Sequence, residues 1–254
     1  ALKRELEEKG VKILNNANIS KFEIEKDFLE LFDSKKIKYK HLINCAGLNA
    51  DSVAHQFGVG MNYKMLPFKG LYWKLNKKFP FQLNTNLYPV PDLNVPFLGV
   101  HFTPSAGTEQ EISIGPTAVP AFGRENYYGL NGLEPVMAIE NLFLLAKQYF
   151  LNKGGFRKYV NEQAFLSFTP FLLKAAKELI PELKNEHIEI SQKVGIRAQL
   201  FNLETLKLEN DFLSLDGKSS THLLNTISPA FTASFALADL IIDKIKYVSI
   251  NKTK

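Results

Sequence analysis

The clearest change of pattern along the chain is an apolar run that ends in small residues and gives way to a helical spacing. Residues 42–47 (LINCAG) are mostly apolar and stop at a glycine. After them Val53, Ala54 and Phe57 recur on one side of a helix, and Asn49 stands where its N-cap is expected. A strand, turn and helix of this kind brings backbone close to a nucleotide or flavin in α/β proteins, or it is simply a buried strand and a tight turn that bind nothing.

Helical and strand patterns predict the elements on either side of this stretch. Residues 1–9 have the spacing of a helix that Gly10 ends, and residues 11–14 are predicted as a strand. Residues 19–39 alternate in short runs and predict an antiparallel meander. The later elements are predicted as helices over 134–151, 165–179 (broken at Pro170) and 230–247, an extended segment over 194–199, and strands over 212–215 and 222–225. Because the chain opens within a helix, without an N-cap or a start methionine, we expect it to be the downstream part of a longer protein.

Residues 65–115 differ in composition, with frequent prolines and aromatics and no helical period. The segments that are typical of strands are 68–75, 87–91, 97–102 and 111–115. Four strands within roughly 50 residues predict a largely antiparallel sheet in a second lobe. We therefore expect an α/β (α+β) protein.

Composition and charge narrow the functional classes. The 254 residues are 45% hydrophobic and 22% charged, which suits one large or two small domains, and the net charge is +5. Lysines and glutamates are interspersed, and no basic stripe with stacking aromatics indicates a nucleic-acid partner. The single cysteine, Cys45, argues against a disulfide framework or a cysteine-rich metal site and favours a reducing compartment. Since no apolar run reaches the length of a membrane span, we expect a cytoplasmic location, with peripheral association at the inner membrane as the alternative.

Two residues stand out as candidates for chemistry. The chain has no HExxH, Walker A, CxxC or nucleophile-elbow motif, and its five histidines do not pair at metal-ligand spacing, so we predict no metal site. His101 ends an apolar strand, where it is either structural or catalytic. Arg197 lies in an apolar strand and needs a partner there. Either Asp211 or Glu209 pairs with it internally, or its guanidinium binds a substrate carboxylate.

Several motifs, taken in order, resemble one family. They are residues 43–47 (INCAG), 65–70 (MLPFKG), 87–92 (LYPVPD), 96–103 (PFLGVHFT), 113–116 (SIGP), 195–199 (GIRAQ) and 228–230 (SPA). Together they resemble the L-2-hydroxyglutarate dehydrogenases and oxidases, flavoproteins of the D-amino-acid-oxidase-like group. The resemblance covers nearly the whole chain, and residues 88–103 are its most specific part.

The sequence departs from the family pattern at four places. The strand–GxGxxG–helix that would hold the FAD pyrophosphate is absent from these 254 residues. Lys69 stands where the family more usually has arginine, Leu71 where it has glutamate, and Thr117 where it has asparagine. These differences bear on the detail of the site.

The resemblance implies a fold, a reaction and a set of site residues. It implies a C-terminal portion of a two-domain flavoprotein, with residues 1–60 and 195–254 in a partial Rossmann-like FAD-binding domain and 61–194 in a substrate-binding lobe. The reaction implied is oxidation of L-2-hydroxyglutarate to 2-oxoglutarate by hydride transfer to FAD. The roles implied are His101 as catalytic base; Arg197, Lys69, Tyr72, Arg124 and Tyr127 as substrate-binding residues; and Ala46, Gly47, Ser228, Pro229 and Ala230 as cofactor-binding residues.

Other functions remain open at this stage. A related flavin-dependent oxidase of amines or amino acids would share Arg197 and the fold, and a truncated fragment without flavin would be inactive. The partners expected are a small dicarboxylate and an electron acceptor, which is oxygen, a quinone or another carrier. No nucleic acid and no transmembrane segment are expected.

Overall fold

The computed structural model describes residues 1–90, 99–105, 111–227 and 229–252, and within them six α-helices and twelve strands. The helices are α1 (Leu2–Glu8), α2 (Ala50–Gln56), α3 (Pro135–Leu151), α4 (Phe156–Leu166), α5 (Thr169–Ala176) and α6 (Ser234–Lys252). The strands are β1 (Ile19–Glu23), β2 (Phe28–Leu31), β3 (Lys36–Lys38), β4 (Leu42–Asn44), β5 (Tyr63–Leu75), β6 (His101–Pro104), β7 (Ile112–Gly115), β8 (Val119–Pro120), β9 (Ile188–Asn202), β10 (Lys207–Leu208), β11 (Leu213–Asp216) and β12 (Ser220–Asn225).

These strands form three sheets. An antiparallel meander joins β1, β2 and β3, and a second sheet has the order β11-β12-β4, in which β12 and β4 are parallel. The largest sheet has the order β10-β9-β5-β7-β6, with β8 also paired to β5, and all of its pairs are antiparallel. The predicted class, mixed α/β with a largely antiparallel sheet, is therefore confirmed.

The long β5–β9 pair fixes which residues share a face. Phe68 lies opposite Arg197, and Lys69 lies opposite Ile196. Because successive side chains on a strand point to opposite faces, Phe68 and Arg197 share one face while Lys69 points to the other. The register shifts between Leu71 and Trp73, where β9 carries the extra residues.

Three apolar clusters hold the elements together. Met65 and Leu200 pack against Ala50 and Ala54 of α2. On the other face of β5 and β9, residues 66, 68 and 201 pack against Phe156 and Tyr159 of α4. The third cluster joins Trp73, Phe102 and Ile114 to Leu172 and Ala176 of α5. Each large side chain buried in this way contributes about 1.5–3 kcal/mol relative to an exposed one.

Most predicted elements are confirmed with shifted ends. The meander, α1, the amphipathic helix α3 and the strands flanking the turn at Gly217 occur where the patterns predict them. Pro170 falls in the first turn of α5, where a missing N–H costs nothing, so it separates two helices. No helix in the described part of the chain is both long enough and apolar enough to cross a membrane.

Two strand predictions are wrong. Residues 11–14 form no strand, since their apolar side chains have no paired strand to lie against among the described residues, and Val11 instead donates its N–H to Leu6 at the end of α1. Around residue 87 there is only an isolated bridge between Leu87 and Phe102. Residues 91–98, which carry much of the family-like run, lie outside the described residues.

The predicted start of the last helix is also wrong. Residues 229–233 form turns in which the Pro229 carbonyl accepts from the Ala233 N–H and the Thr232 hydroxyl, and α6 begins only at Ser234. The backbone bonds of this segment mix the i→i−3 spacing of Ala230 to Ile227 and Ser234 to Phe231 with the i→i−4 spacing of Ala233 to Pro229, so regular helical bonding does not begin at Pro229. Ser228, predicted as a cofactor-binding residue, lies outside the described residues. The predicted domain boundary at residue 195 falls inside β9, and the division into two domains stays a prediction.

Candidate active site

Three of the predicted site residues lie along neighbouring strands of the large sheet. His101 pairs with Gly115 across β6 and β7, and the Cβ position of Gly115 is 3.6 Å from the Cα of Tyr72 in β5. Tyr72 and His101 are therefore separated by one strand, about 10 Å at the usual strand spacing, and the residue between them has no side chain. Gly115 has φ +125°, which favours glycine. No side chain therefore stands between Tyr72 and His101 at this position, and the backbone of Gly115 packs closely against that of Leu71 and Tyr72.

Arg197 lies close enough to Tyr72 and His101 for its positive charge to act on both side chains. It is half-buried, and burial lowers the pKa of its guanidinium while the neighbouring Tyr72 and Tyr159 raise it. Of the carboxylates considered as internal partners, Glu209 accepts from Asn202 and Asp211 accepts from the Phe212 N–H. A guanidinium that has lost part of its hydration next to two phenols is suited to a bidentate contact with a carboxylate.

His101 has the tautomer that a general base needs. Its Nδ1 lies 2.9 Å from the carbonyl oxygen of Gly99, which can only accept, so Nδ1 carries the hydrogen. In the neutral imidazole Nε2 then holds the free lone pair. Burial, and more weakly the charges of Arg197 and Lys193, lower the pKa of His101, while the Gly99 contact raises it. The net lowering keeps this side chain neutral near pH 7, able to accept a proton at Nε2.

Tyr72 is held as a neutral hydrogen-bond donor. Burial raises the pKa of its phenol, and the charge of Arg197 opposes that rise. The ammonium of Lys193 lies 4.7 Å from the centre of the Tyr72 ring, and the ring of Tyr88 lies 4.6 Å from that of His101. An ammonium therefore lies over the ring of Tyr72, and an aromatic ring borders His101.

Two members of this group were not predicted from the sequence. Tyr159 is 7% exposed and is close enough to Arg197 for each to shift the pKa of the other. It lies in α4, most of which falls between two predicted helices, so the sequence analysis did not single it out. Gly195, opposite Gly70, has nothing within 4 Å of where a Cβ would lie. Its place two residues before Arg197 was the available signal for open space beside the guanidinium.

The other predicted substrate-binding residues lie elsewhere. Lys69 is on the face opposite Arg197, where its ammonium donates to the Asn126 side chain at 3.0 Å and burial lowers its pKa. Arg124 donates to Asp51 at 2.8 Å, to Ser52 at 2.8 Å and to the carbonyl of Leu48. The Arg124 and Asp51 side chains are 13% and 4% exposed, so this is a buried ion pair that ties the start of α2 to the segment before α3.

Tyr127 lies in the same segment as Arg124, half-buried, with its N–H bonded to the Glu125 carbonyl. The structure thus brings together Arg197, Tyr72 and His101, whereas Lys69 points to the other face of β5, where it bonds to the segment that holds Arg124 and Tyr127.

The turn after β4 has the features expected of a close backbone approach. Gly47 has φ +55° and nothing within 4 Å of its Cβ position, so only backbone faces that space. The N–H of Ala46 is bonded to the Asn44 side chain at 3.1 Å, which fixes the turn. Two small residues with open space beside them fit the edge of a flat cofactor such as a flavin.

The second predicted cofactor segment lies beside the first. Cys45 and Ala230 both line one apolar cleft of about 520 Å³ between the β4–β12 pair and α6. Burial raises the pKa of the Cys45 thiol, which keeps it protonated and unreactive. The end of β4 and the turn that contains Ala230 therefore border the same cleft.

Comparisons with known proteins agree with this architecture. The L-2-hydroxyglutarate dehydrogenase of Caenorhabditis briggsae (mitochondrial) is 37% identical over 207 residues, which is 80% of this chain and 46% of that protein. The L-2-hydroxyglutarate dehydrogenase of Indibacter alkaliphilus is 34% identical over 207 residues, 80% of this chain and 49% of that protein. The chain thus spans about half the length of the curated relatives it matches.

A solved structure and a family model complete the comparison. The FAD-bound L-alpha-glycerophosphate oxidase of Mycoplasma pneumoniae superposes with a TM-score of 0.57 at 17% identity, over 92% of this chain and 51% of that one, which shows a shared fold. The model of the FAD dependent oxidoreductase family (DAO) matches residues 1–244. The match covers nearly the whole chain, and the chain therefore belongs to the FAD dependent oxidoreductase family.

Proposed function

We propose that the full-length protein oxidises L-2-hydroxyglutarate to 2-oxoglutarate with FAD as its cofactor. The observation that carries the proposal is the arrangement of Arg197, Tyr72 and His101: a partly desolvated cation, a neutral phenol and a neutral imidazole with an open Nε2. Oxidation of a 2-hydroxy acid needs a cation that binds the carboxylate and a base that accepts the hydroxyl proton. The names of the relatives supply the particular acid.

We assign the roles as follows. The guanidinium of Arg197 binds one carboxylate in a bidentate contact, and the Tyr72 hydroxyl donates to the same group. Nε2 of His101 takes the proton of the substrate hydroxyl as that oxygen becomes a carbonyl. FAD, when bound, accepts the hydride that leaves C2. The protonated His101 then returns its proton to solvent.

The cofactor is proposed to lie against the small residues of the β4 turn. Ala46 and Gly47 would contact it through backbone, and Pro229 and Ala230 would close the neighbouring side. We propose with it that residues 1–60 and 195–254 form the FAD-binding part and residues 61–194 the substrate lobe. The final electron acceptor in this proposal is oxygen, a quinone or another carrier.

The test is flavin reduction without oxygen. Purified full-length protein should show visible flavin absorption that L-2-hydroxyglutarate bleaches, whereas D-2-hydroxyglutarate, glycine and proline should leave it unchanged. Bleaching by glycine or proline would instead establish an amine or amino-acid oxidase. Protein that carries no flavin and binds none when FAD is added would overturn the proposal.

A further inference from the structure

His222 is a fully buried histidine that the proposed reaction does not use. It lies in β12, and its Nδ1 is 3.1 Å from Nδ2 of Asn44 in the adjacent parallel strand β4. Asn44 is in turn bonded to both sides of the turn that follows it, to the N–H of Ala46 and the carbonyl of Ala50. One imidazole is thus a single side chain away from the proposed cofactor turn.

The hydrogen bonds of Asn44 fix its orientation. The Ala46 N–H can only donate, so the atom 3.1 Å from it is the amide oxygen. The Ala50 carbonyl can only accept, so the atom 2.8 Å from it is the amide nitrogen. The second hydrogen of that nitrogen then donates to His222, and Nδ1 of His222 must be the acceptor.

The tautomer of His222 follows from this. With Nδ1 unprotonated, the neutral ring carries its hydrogen on Nε2, which donates to the Ser220 hydroxyl at 2.9 Å. The ring of Phe57 packs edge-on against the imidazole at 4.9 Å between centroids. Two titratable groups shift the pKa of His222 by their charge: Asp216 in β11 raises it and His41, just before β4, lowers it. A proton added at Nδ1 would place two donors face to face, so the contact with Asn44 exists only with a neutral ring.

We propose that His222 is a positioning residue, which holds Asn44 and through it the Ala46–Gly47 turn in the conformation that receives the cofactor. The position of the turn as a cofactor contact rests on the proposed function. The imidazole, the amide and the Ala46 N–H form one chain of hydrogen bonds in which each donor and acceptor is determined. Removing the acceptor at Nδ1 leaves a buried amide hydrogen of Asn44 without its partner, and Asn44 can then rotate away from Ala46.

The test compares three variants of the full-length protein. His222→Phe keeps a planar ring but removes both the acceptor at Nδ1 and the donor to Ser220, whereas His222→Asn places an amide oxygen near the position of Nδ1. His187→Phe is the matched control, because His187 is also buried and its Nδ1 accepts from the backbone N–H of Lys184. His187 lies against Phe79, which packs on the cluster around Trp73 and Leu172, and not beside the β4 turn. The readouts are hydrogen exchange of the Ala46 N–H in the absence of FAD, the ¹⁵N shifts of His222, and the Kd for FAD.

We expect His222→Phe to speed exchange at Ala46 by about tenfold and to weaken FAD binding by a similar factor, the usual effect of one lost buried hydrogen bond. His222→Asn should stay close to the wild type, and His187→Phe should leave Ala46 unchanged. The ¹⁵N shifts should show the Nε2–H form. Unchanged exchange at Ala46 in His222→Phe would overturn the inference, as would faster exchange with an unchanged Kd for FAD. A protein that binds no FAD would refute the proposed function, while exchange at Ala46 would still decide whether His222 holds the turn.

Discussion

Replacing Arg197 separates a substrate-binding role from a structural one. Its guanidinium is half-buried, burial lowers its pKa, and its electrostatic neighbours are Tyr72 and Tyr159. A substrate carboxylate would add a bidentate, charge-assisted contact to this guanidinium. Loss of one partner of such a desolvated charge pair costs about 2–5 kcal/mol. At about 1.4 kcal/mol per factor of ten, Arg197→Ala should lose between ~30-fold and a few thousand-fold in kcat/KM.

Arg197→Lys should also be impaired, by about tenfold or more, because the ammonium keeps the charge but lacks the planar fork. The assay is steady-state kinetics on L-2-hydroxyglutarate with the melting temperature and the flavin content measured on the same samples. Stability and flavin content should stay near the wild type.

Arg124 provides the contrasting control within the same chain. Its partner Asp51 is 4% exposed and also accepts the N–H of Met65 at 2.9 Å, so Arg124→Ala leaves a buried carboxylate without its cation. Breaking such a pair costs about 3–5 kcal/mol of folding stability. We therefore expect loss of activity without unfolding for Arg197→Ala, and unfolding for Arg124→Ala. An Arg197→Ala protein that melts early while its folded fraction turns over normally would refute the substrate role.

Three further predictions concern the base, pH and the turn. His101→Gln should lower kcat by about 10²–10⁴ with normal folding, and a loss below about tenfold from pH 6 to pH 9 would mean that the histidine is structural. Burial lowers the pKa of His101 and His222 below 6.5 in the folded chain, so the unfolded chain binds more protons. The free energy of unfolding should therefore fall as the pH drops below about 6.5, by up to about 1.4 kcal/mol per pH unit for each histidine. Urea unfolding should show a weaker dependence of stability on pH for His222→Phe, and an unchanged dependence would contradict this. Gly47→Ala should cost about 1–2 kcal/mol from its positive φ and weaken FAD retention, and equal retention in a dialysis assay would exclude Gly47 from the cofactor site.

The elements that the sequence predicts well are those with a local cause. The apolar spacing of α3 and the meander depends on residues within a few positions of one another, and both are confirmed. The last helix begins later than predicted for an equally local reason, because the backbone bonds before Ser234 mix i→i−3 and i→i−4 spacing. Residue types compatible with a helix do not show where regular i→i−4 bonding begins. The family was predictable because its motifs are short and stand in order along the chain.

The composition of the candidate site was harder to predict because it depends on register. Tyr72 and His101 are brought together by two strand pairings, and a shift between Leu71 and Trp73 changes which β9 residues lie beside Tyr72. The Arg124–Asp51 pair joins residues 73 positions apart, and no local pattern links them. The sequence therefore showed that Arg124 was a candidate cation but not that it was already paired.

The separation of Arg197 from Lys69 has a simple geometric cause. Both belong to motifs of the same resemblance, and the motifs do pair, since Phe68 lies opposite Arg197. A strand alternates faces at every residue, so the neighbour of Phe68 must point away from Arg197. Lys69 instead meets Asn126 on the side where Met65 packs against α2. Two cations on paired strands can bind one ligand only if their side chains point to the same face of the sheet, and those of Arg197 and Lys69 do not. If a second cation binds the far carboxylate of the substrate, it must come from the face of Arg197, where Lys193 already lies beside Tyr72.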